Sequence, residues 1–79
     1  MKIAVVDDER PARSELKYLI SQCEPNTEIA EADDSETFLE MLDSESFDVC
    51  FVDINLGGMN GTTLASMIKR KQPDTLIIF

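Results

Sequence analysis

Two uninterrupted apolar runs, Ile3-Ala4-Val5-Val6 and Val49-Cys50-Phe51-Val52, each end directly at an aspartate, and that pairing limits what the chain can fold into. A strand with one wet face alternates apolar and polar residues, whereas an unbroken run marks a strand covered on both faces, as in a parallel sheet. Leu76-Ile77-Ile78-Phe79 repeats the pattern. Between the runs the period changes. From Pro11 to Cys23 the residues Ala12, Leu16, Leu19, Ile20 and Cys23 recur at helical spacing, and Pro11 suits a first turn, where its missing N–H is no loss. Pro25-Asn26 closes that helix, Thr27–Ala32 reads as a half-exposed edge strand, and Asp34 or Ser35 can cap a helix carrying Phe38, Leu39, Met41 and Leu42. Leu64, Ala65, Met67 and Ile68 form the core stripe of another helix, which ends on Lys69-Arg70-Lys71 and is stopped by Pro73-Asp74. Strands alternating with helices in this way predict an α/β fold with parallel strands and right-handed crossovers.

Charge narrows the function classes. The 79 residues carry 16 Asp and Glu against 7 Lys and Arg, a net charge of −9, so neither nucleic acid nor an anionic membrane is an expected partner. Between Tyr18 and Ile68 stand eleven acidic residues and no basic one, which reads as a solvated face or as a surface for a basic partner. Cys23 and Cys50, with no His anywhere, cannot make a zinc site or a disulfide framework, and a Ser or Cys nucleophile would lack its usual base. Apolar runs of four residues are too short to span a bilayer, and Asp7 and Asp8 interrupt the first too early for a signal peptide. The expected location is cytoplasmic.

In an open parallel sheet the binding crevice lies beyond the carboxyl ends of the strands, where the strand order reverses. If the two Asp-terminated strands are neighbours, Asp7, Asp8 and Asp53 converge there. Their mutual repulsion calls for a cation, and clustered oxygen ligands suit a hard ion such as Mg²⁺ or Mn²⁺. Taken alone, Asp8 reads more readily as a helix cap or turn residue than as a ligand, and Asp7 is similarly open. Asp53 is more telling, because it stands between Val52 and Ile54, where an ionised group is costly unless solvated or paired. Gly57, Gly58 and Gly61 have neither dinucleotide-binding spacing nor a following Lys-Ser/Thr; they suit a tight turn that lets backbone approach Asp53.

Asp7-Asp8-Glu9 after one apolar strand, and Asp53 to Gly61 after another, resemble the receiver domain of two-component response regulators. The similarity runs from Met1 to Phe79, and Arg13 to Leu19 is similar to the first helix of receivers attached to LytTR-type DNA-binding domains. The resemblance implies a flavodoxin-like sheet with Asp53 as the acceptor of a phosphoryl group from a histidine kinase or a small phosphodonor. It implies Mg²⁺ held directly by Asp8, through a water by Asp7, and by Asp53 and the backbone carbonyl of Asn55. It also implies a phosphoacceptor module and not a turnover enzyme.

Two departures bear on that expectation. Gly57 stands where the family usually has Pro, which loosens the loop after Asp53. The family's hydroxyl residue, its Lys and the last helices lie beyond a fourth strand, so residues 1–79 match an incomplete receiver. Leu76–Phe79 would then form an apolar edge prone to self-association. An interaction or self-assembly module that is not phosphorylated is the alternative reading.

Overall fold

The computed structural model describes residues 1–56 and 59–79. Strands β1 (Lys2–Val6), β2 (Glu28–Ala32), β3 (Val49–Val52) and β4 (Leu76–Ile78) alternate with helices α1 (Arg10–Cys23), α2 (Ser35–Leu42) and α3 (Gly61–Lys71). All pairings are parallel and the sheet order is β2-β1-β3-β4. The chain therefore winds outward from β1 to β2 and then crosses back to β3 on the other side of β1. The reversal falls between β1 and β3, the two strands that end in aspartates.

Local chemistry sets the helix ends. Pro11 lies in the first turn of α1, whose N-cap is Glu9 without a side-chain cap bond. The Oδ1 atom of Asp34 accepts the N–H of Thr37 at 2.7 Å and starts α2. Asn60 caps α3, its Oδ1 accepting from the N–H of Thr62 at 2.7 Å. At the other end of α3 the three cations Lys69, Arg70 and Lys71 occupy the last turn, where the helix dipole is negative.

The two faces of the sheet are unequal. Ala4, Val6, Cys50 and Val52 point toward α2 and α3 and join Ala32, Phe38, Leu42, Phe47, Leu56, Leu64 and Ile68 in the main core. Burial pushes the Cys50 thiol up to about 12, so it behaves as a small apolar residue. On the opposite face Ile3, Val5 and Ile20 make a smaller cluster, with Leu16, Ile29, Val49 and Phe51 packed partly against it.

That asymmetry corrects two sequence expectations. Of the expected α1 stripe only Ile20 is buried; Leu16 is half-buried, while Ala12, Leu19 and Cys23 are exposed. Val49 and Phe51 are half-buried, so β3 is not covered on both faces as its unbroken run suggested, while Leu76 and Ile78 are exposed, as expected of an apolar edge strand. The reason is geometric: α1 is the one described helix on that face, and its buried contacts are with β1. The edge positions expected for β2 and β4 are found.

One polar bracket secures the α2–β3 connection. Gln72 accepts the N–H of Phe47 at 3.0 Å and donates to the carbonyl of Glu45 at 2.7 Å, and the buried Thr75 hydroxyl donates to the Phe47 carbonyl at 2.7 Å. Phe47 thereby keeps its ring 5.4 Å from that of Phe38. Replacing the fully buried Phe38 by Ala should cost about 3–5 kcal/mol, whereas Leu19→Ala should change stability by less than about 0.5 kcal/mol. Urea unfolding of the two variants checks both halves of this contrast.

Candidate metal centre and phosphoacceptor site

Strand register builds the site. Val6 pairs with Val52, and one residue later the Asp53 N–H donates to the Val6 carbonyl at 2.9 Å, so Asp7 and Asp53 leave adjacent strands side by side. On the far side of β1 the Asp7 N–H donates to the Ala32 carbonyl at 3.1 Å. Asp8 follows in the short turn into α1. Asp7, Asp8 and Asp53 each present a carboxylate oxygen, and those oxygens all lie within 4.8 Å of one another. Asp8 is not the N-cap of α1, so the capping role left open for it by sequence is not the one it takes.

Two short backbone contacts aim the carboxylates. Oδ1 of Asp7 accepts the N–H of Glu9 at 2.8 Å, and Oδ1 of Asp53 accepts the N–H of Asn55 at 3.1 Å. Each is an aspartate accepting a hydrogen bond from the backbone two residues on, which restrains side-chain rotation. Asp7 and Asp53 are half-buried and Asp8 is exposed. Beside them a groove of about 380 Å³ runs over Val5, Leu16, Phe51, Ile78 and Phe79, giving the carboxylates one apolar flank.

The donor set fits a hard divalent ion. Octahedral Mg²⁺ with oxygens at about 2.0–2.1 Å places its ligands roughly 3–4 Å apart, slightly closer than the 4.8 Å limit here, and all three donors are oxygens. A small inward movement, or a water in place of one direct contact, closes the difference.

Gly61 brings α3 against the end of β3, beside Asp53. Its N–H donates to the Ile54 carbonyl at 2.9 Å. A Cβ at this position would strike the Asp53 carbonyl oxygen and lie 2.8 Å from Cα of Ile54. The close backbone approach read from the glycine loop is therefore located at Gly61; Gly57 and Gly58, with the loop departure expected there, lie outside the described residues.

Sequence reasoning passed over the partners of the acidic turn. Nη1 of Arg13 donates to the Asp7 carbonyl at 2.8 Å, and its Nε donates to Glu31 Oε1 at 3.2 Å. Lys17, one turn along α1, reaches the other Glu31 oxygen at 3.0 Å. The only sequence signal was an i, i+4 pair of cations facing an acid on the edge strand. The Lys17 hydrogen bond, against an opposing desolvation, and then the charges of Lys17 and Arg13 hold the Glu31 carboxyl below its ordinary 4.5.

Fold and site together define an open parallel α/β domain with an acidic, oxygen-lined crevice at its switch point. The response regulator receiver domain family matches residues 3–79, and the chain belongs to that family. It is 46% identical over 78 residues to the sensory transduction protein LytR of Staphylococcus haemolyticus, covering 98% of this chain and 30% of that one. It is 40% identical over 79 residues to the sensory transduction protein LytT of Bacillus anthracis, covering 100% of this chain and 32% of that one. The chain thus spans about a third of the length of these relatives. Among solved structures, the response regulator TrrA from Thermotoga maritima in complex with Mg²⁺-BeF superposes with a TM-score of 0.88 at 33% identity, covering 99% of this chain and 66% of that one. A complex of the histidine kinase ThkA with TrrA gives 0.84 at 33% identity, covering 96% and 64%. The flavodoxin-like fold expected from sequence is the one observed.

Two outcomes follow. Gly61→Ala should lower stability by about 1–3 kcal/mol through overpacking, with amide shifts concentrated at Asp53 and Ile54 in a heteronuclear spectrum. A depressed Glu31 carboxyl contributes stability that is present above the unfolded value of 4.5 and is lost as pH falls through the lower folded value. Glu31→Gln should flatten that part of the acid limb of a stability-against-pH curve and leave the curve near neutral pH parallel to the parent.

Proposed function

We propose that this chain is the phosphoacceptor module of a response regulator, taking a phosphoryl group on Asp53 with Mg²⁺ held by Asp7, Asp8, Asp53 and the backbone carbonyl of Asn55. The observation that carries this reading is the convergence of three carboxylate oxygens, from two strand ends, within 4.8 Å. In the transfer an Asp53 oxygen forms a bond to phosphorus while the donor's bond to phosphorus breaks and its electron pair leaves with the donor. Magnesium, when bound, supplies positive charge that offsets the repulsion between the anionic nucleophile and the anionic phosphoryl oxygens. The protein's own part is orientation: the Asn55 N–H holds the Asp53 carboxylate, and the Glu9 N–H holds that of Asp7. A module that accepts one group and keeps it is a signalling element and not a turnover enzyme.

Its phosphodonor in this reading is a histidine kinase, supported by the structural likeness to the TrrA partner of a kinase. We place the reaction in the cytoplasm, in keeping with unpaired Cys23 and Cys50, and assign the segment no direct contact with nucleic acid or membrane, in keeping with its net charge of −9.

Exposure of Leu76, Ile78 and Phe79 along the β4 edge supports self-association as a second property, and it is the observation behind the reading of the chain as an interaction module alone. Sedimentation over a wide concentration range should show dimers weakened by Ile78→Lys; a single monomeric species throughout would remove this property.

Intact mass after incubation with Mg²⁺ and a small acyl phosphate tests the central assignment. One phosphoryl adduct is expected on the parent, none on Asp53→Asn, and none when chelator replaces the metal. Failure to label under conditions that label a longer receiver would favour the interaction module.

A further inference from the structure

We infer that Arg13 is the positioning residue of the metal site: its guanidinium holds the peptide that joins the two loop aspartates, and so sets where Asp8 is aimed. The inference rests on the reading of the acidic crevice as a Mg²⁺ site. The Asp7–Asp8 peptide carries one proposed ligand on each side, and rotation of that single plane would swing the Asp8 carboxylate away from Asp53. Its carbonyl is the group that Arg13 Nη1 engages at 2.8 Å. The preceding amide is fixed by Ala32 and the Asp7 side chain by Glu9, so the Arg13 bond completes the restraint on Asp7.

Arg13 is itself immobilised. Its side chain is 14% exposed, and its Nε is tied to Glu31 on the neighbouring edge strand. Two different acceptors on two different elements are thus served by one planar fork, a geometry that a Lys with a single nitrogen cannot reproduce. Lys17 already bonds Glu31, so the Nε contact adds orientation of the fork to a carboxylate that has a cation in any case. Among the described residues, Arg13 is also the one cation hydrogen-bonded to a member of the acidic cluster.

Charge and positioning predict opposite signs, which makes the inference testable. By charge alone, removing a cation near three carboxylates tightens Mg²⁺ binding; by lost positioning, it weakens binding. Titration of the full chain with MgCl₂, followed by the amide signals of residues 7–9 and 53, should show Arg13→Ala and Arg13→Lys each weakened about tenfold, the effect usual for losing a group that orients a metal ligand. Acyl phosphate labelling of both should return to the parent rate at saturating Mg²⁺, a recovery that general structural damage would not allow. Glu31→Gln, which leaves Arg13 in place and releases the fork, should weaken binding to a smaller degree.

Tighter binding in Arg13→Ala, or parent affinity in both Arg13→Lys and Glu31→Gln, would overturn the role of Arg13 while leaving the metal site standing. A parent chain that shows no Mg²⁺ binding would bring down the site and this inference together.

Discussion

Everything at the functional end of the molecule depends on the parallel register of β1 and β3. Because Val6 lies opposite Val52, the next residues, Asp7 and Asp53, emerge from adjacent strands at the same height. A slip of one residue would send the entire apolar set of β3 to the other face and exchange Phe51 for Val52 in the main core. Packing of Cys50 and Val52 against α3, and of Ala4 and Val6 beside them, therefore fixes the spacing of the carboxylates as well as the stability of the sheet. Core and chemistry are set by the same alternation.

That coupling explains why the site can tolerate its own repulsion. Carboxylates brought together favour separation, and the movements open to them are rotation of the side chains and rotation of the peptides that carry them. Each is restrained by a short bond from a rigid element: the β2 carbonyl of Ala32 to the Asp7 amide, local amides to Asp7 and Asp53, and α1 through Arg13 to the Asp7 carbonyl. The cost of assembling like charges is met by sheet and helix packing, so the crevice is preorganised instead of collapsing on arrival of a cation.

Most of this was legible in the sequence, and the exceptions have a common cause. The order of elements, β2 and β4 at the edges, the caps near Asp34 and the Lys69–Lys71 terminus follow from period and turn chemistry. The meeting of Asp7, Asp8 and Asp53 followed from two apolar runs that each end in acid. Unbroken runs, however, report which faces a strand is suited to bury, not which neighbours are supplied, so Val49 and Phe51 proved half-buried and Leu19 exposed. Arg13 and Glu31 escaped for a different reason. Each looks like an ordinary surface charge, and only the fold brings a side chain from the first turn of α1 to a strand-end carbonyl 2.8 Å away.

The uneven sheet faces also divide the supports of the site. On the α2–α3 side, Leu64 and Ile68 are fully buried and α3 is pressed through Gly61 against the backbone of Asp53, so Asp53 stands beside the better-packed face of the sheet. On the α1 side, a single buried residue, Ile20, anchors the helix, and the polar bracket of Arg13, Lys17 and Glu31 supplies lateral restraint near its start. Local opening draws on the least-packed elements first. The loop bearing Asp7 and Asp8 leads into that less deeply packed helix, so its placement rests on the hydrogen bonds from Ala32, Glu9 and Arg13, whereas Asp53 is placed by core packing, and a cation bridging the two would link a side held by polar contacts to a side held by apolar ones.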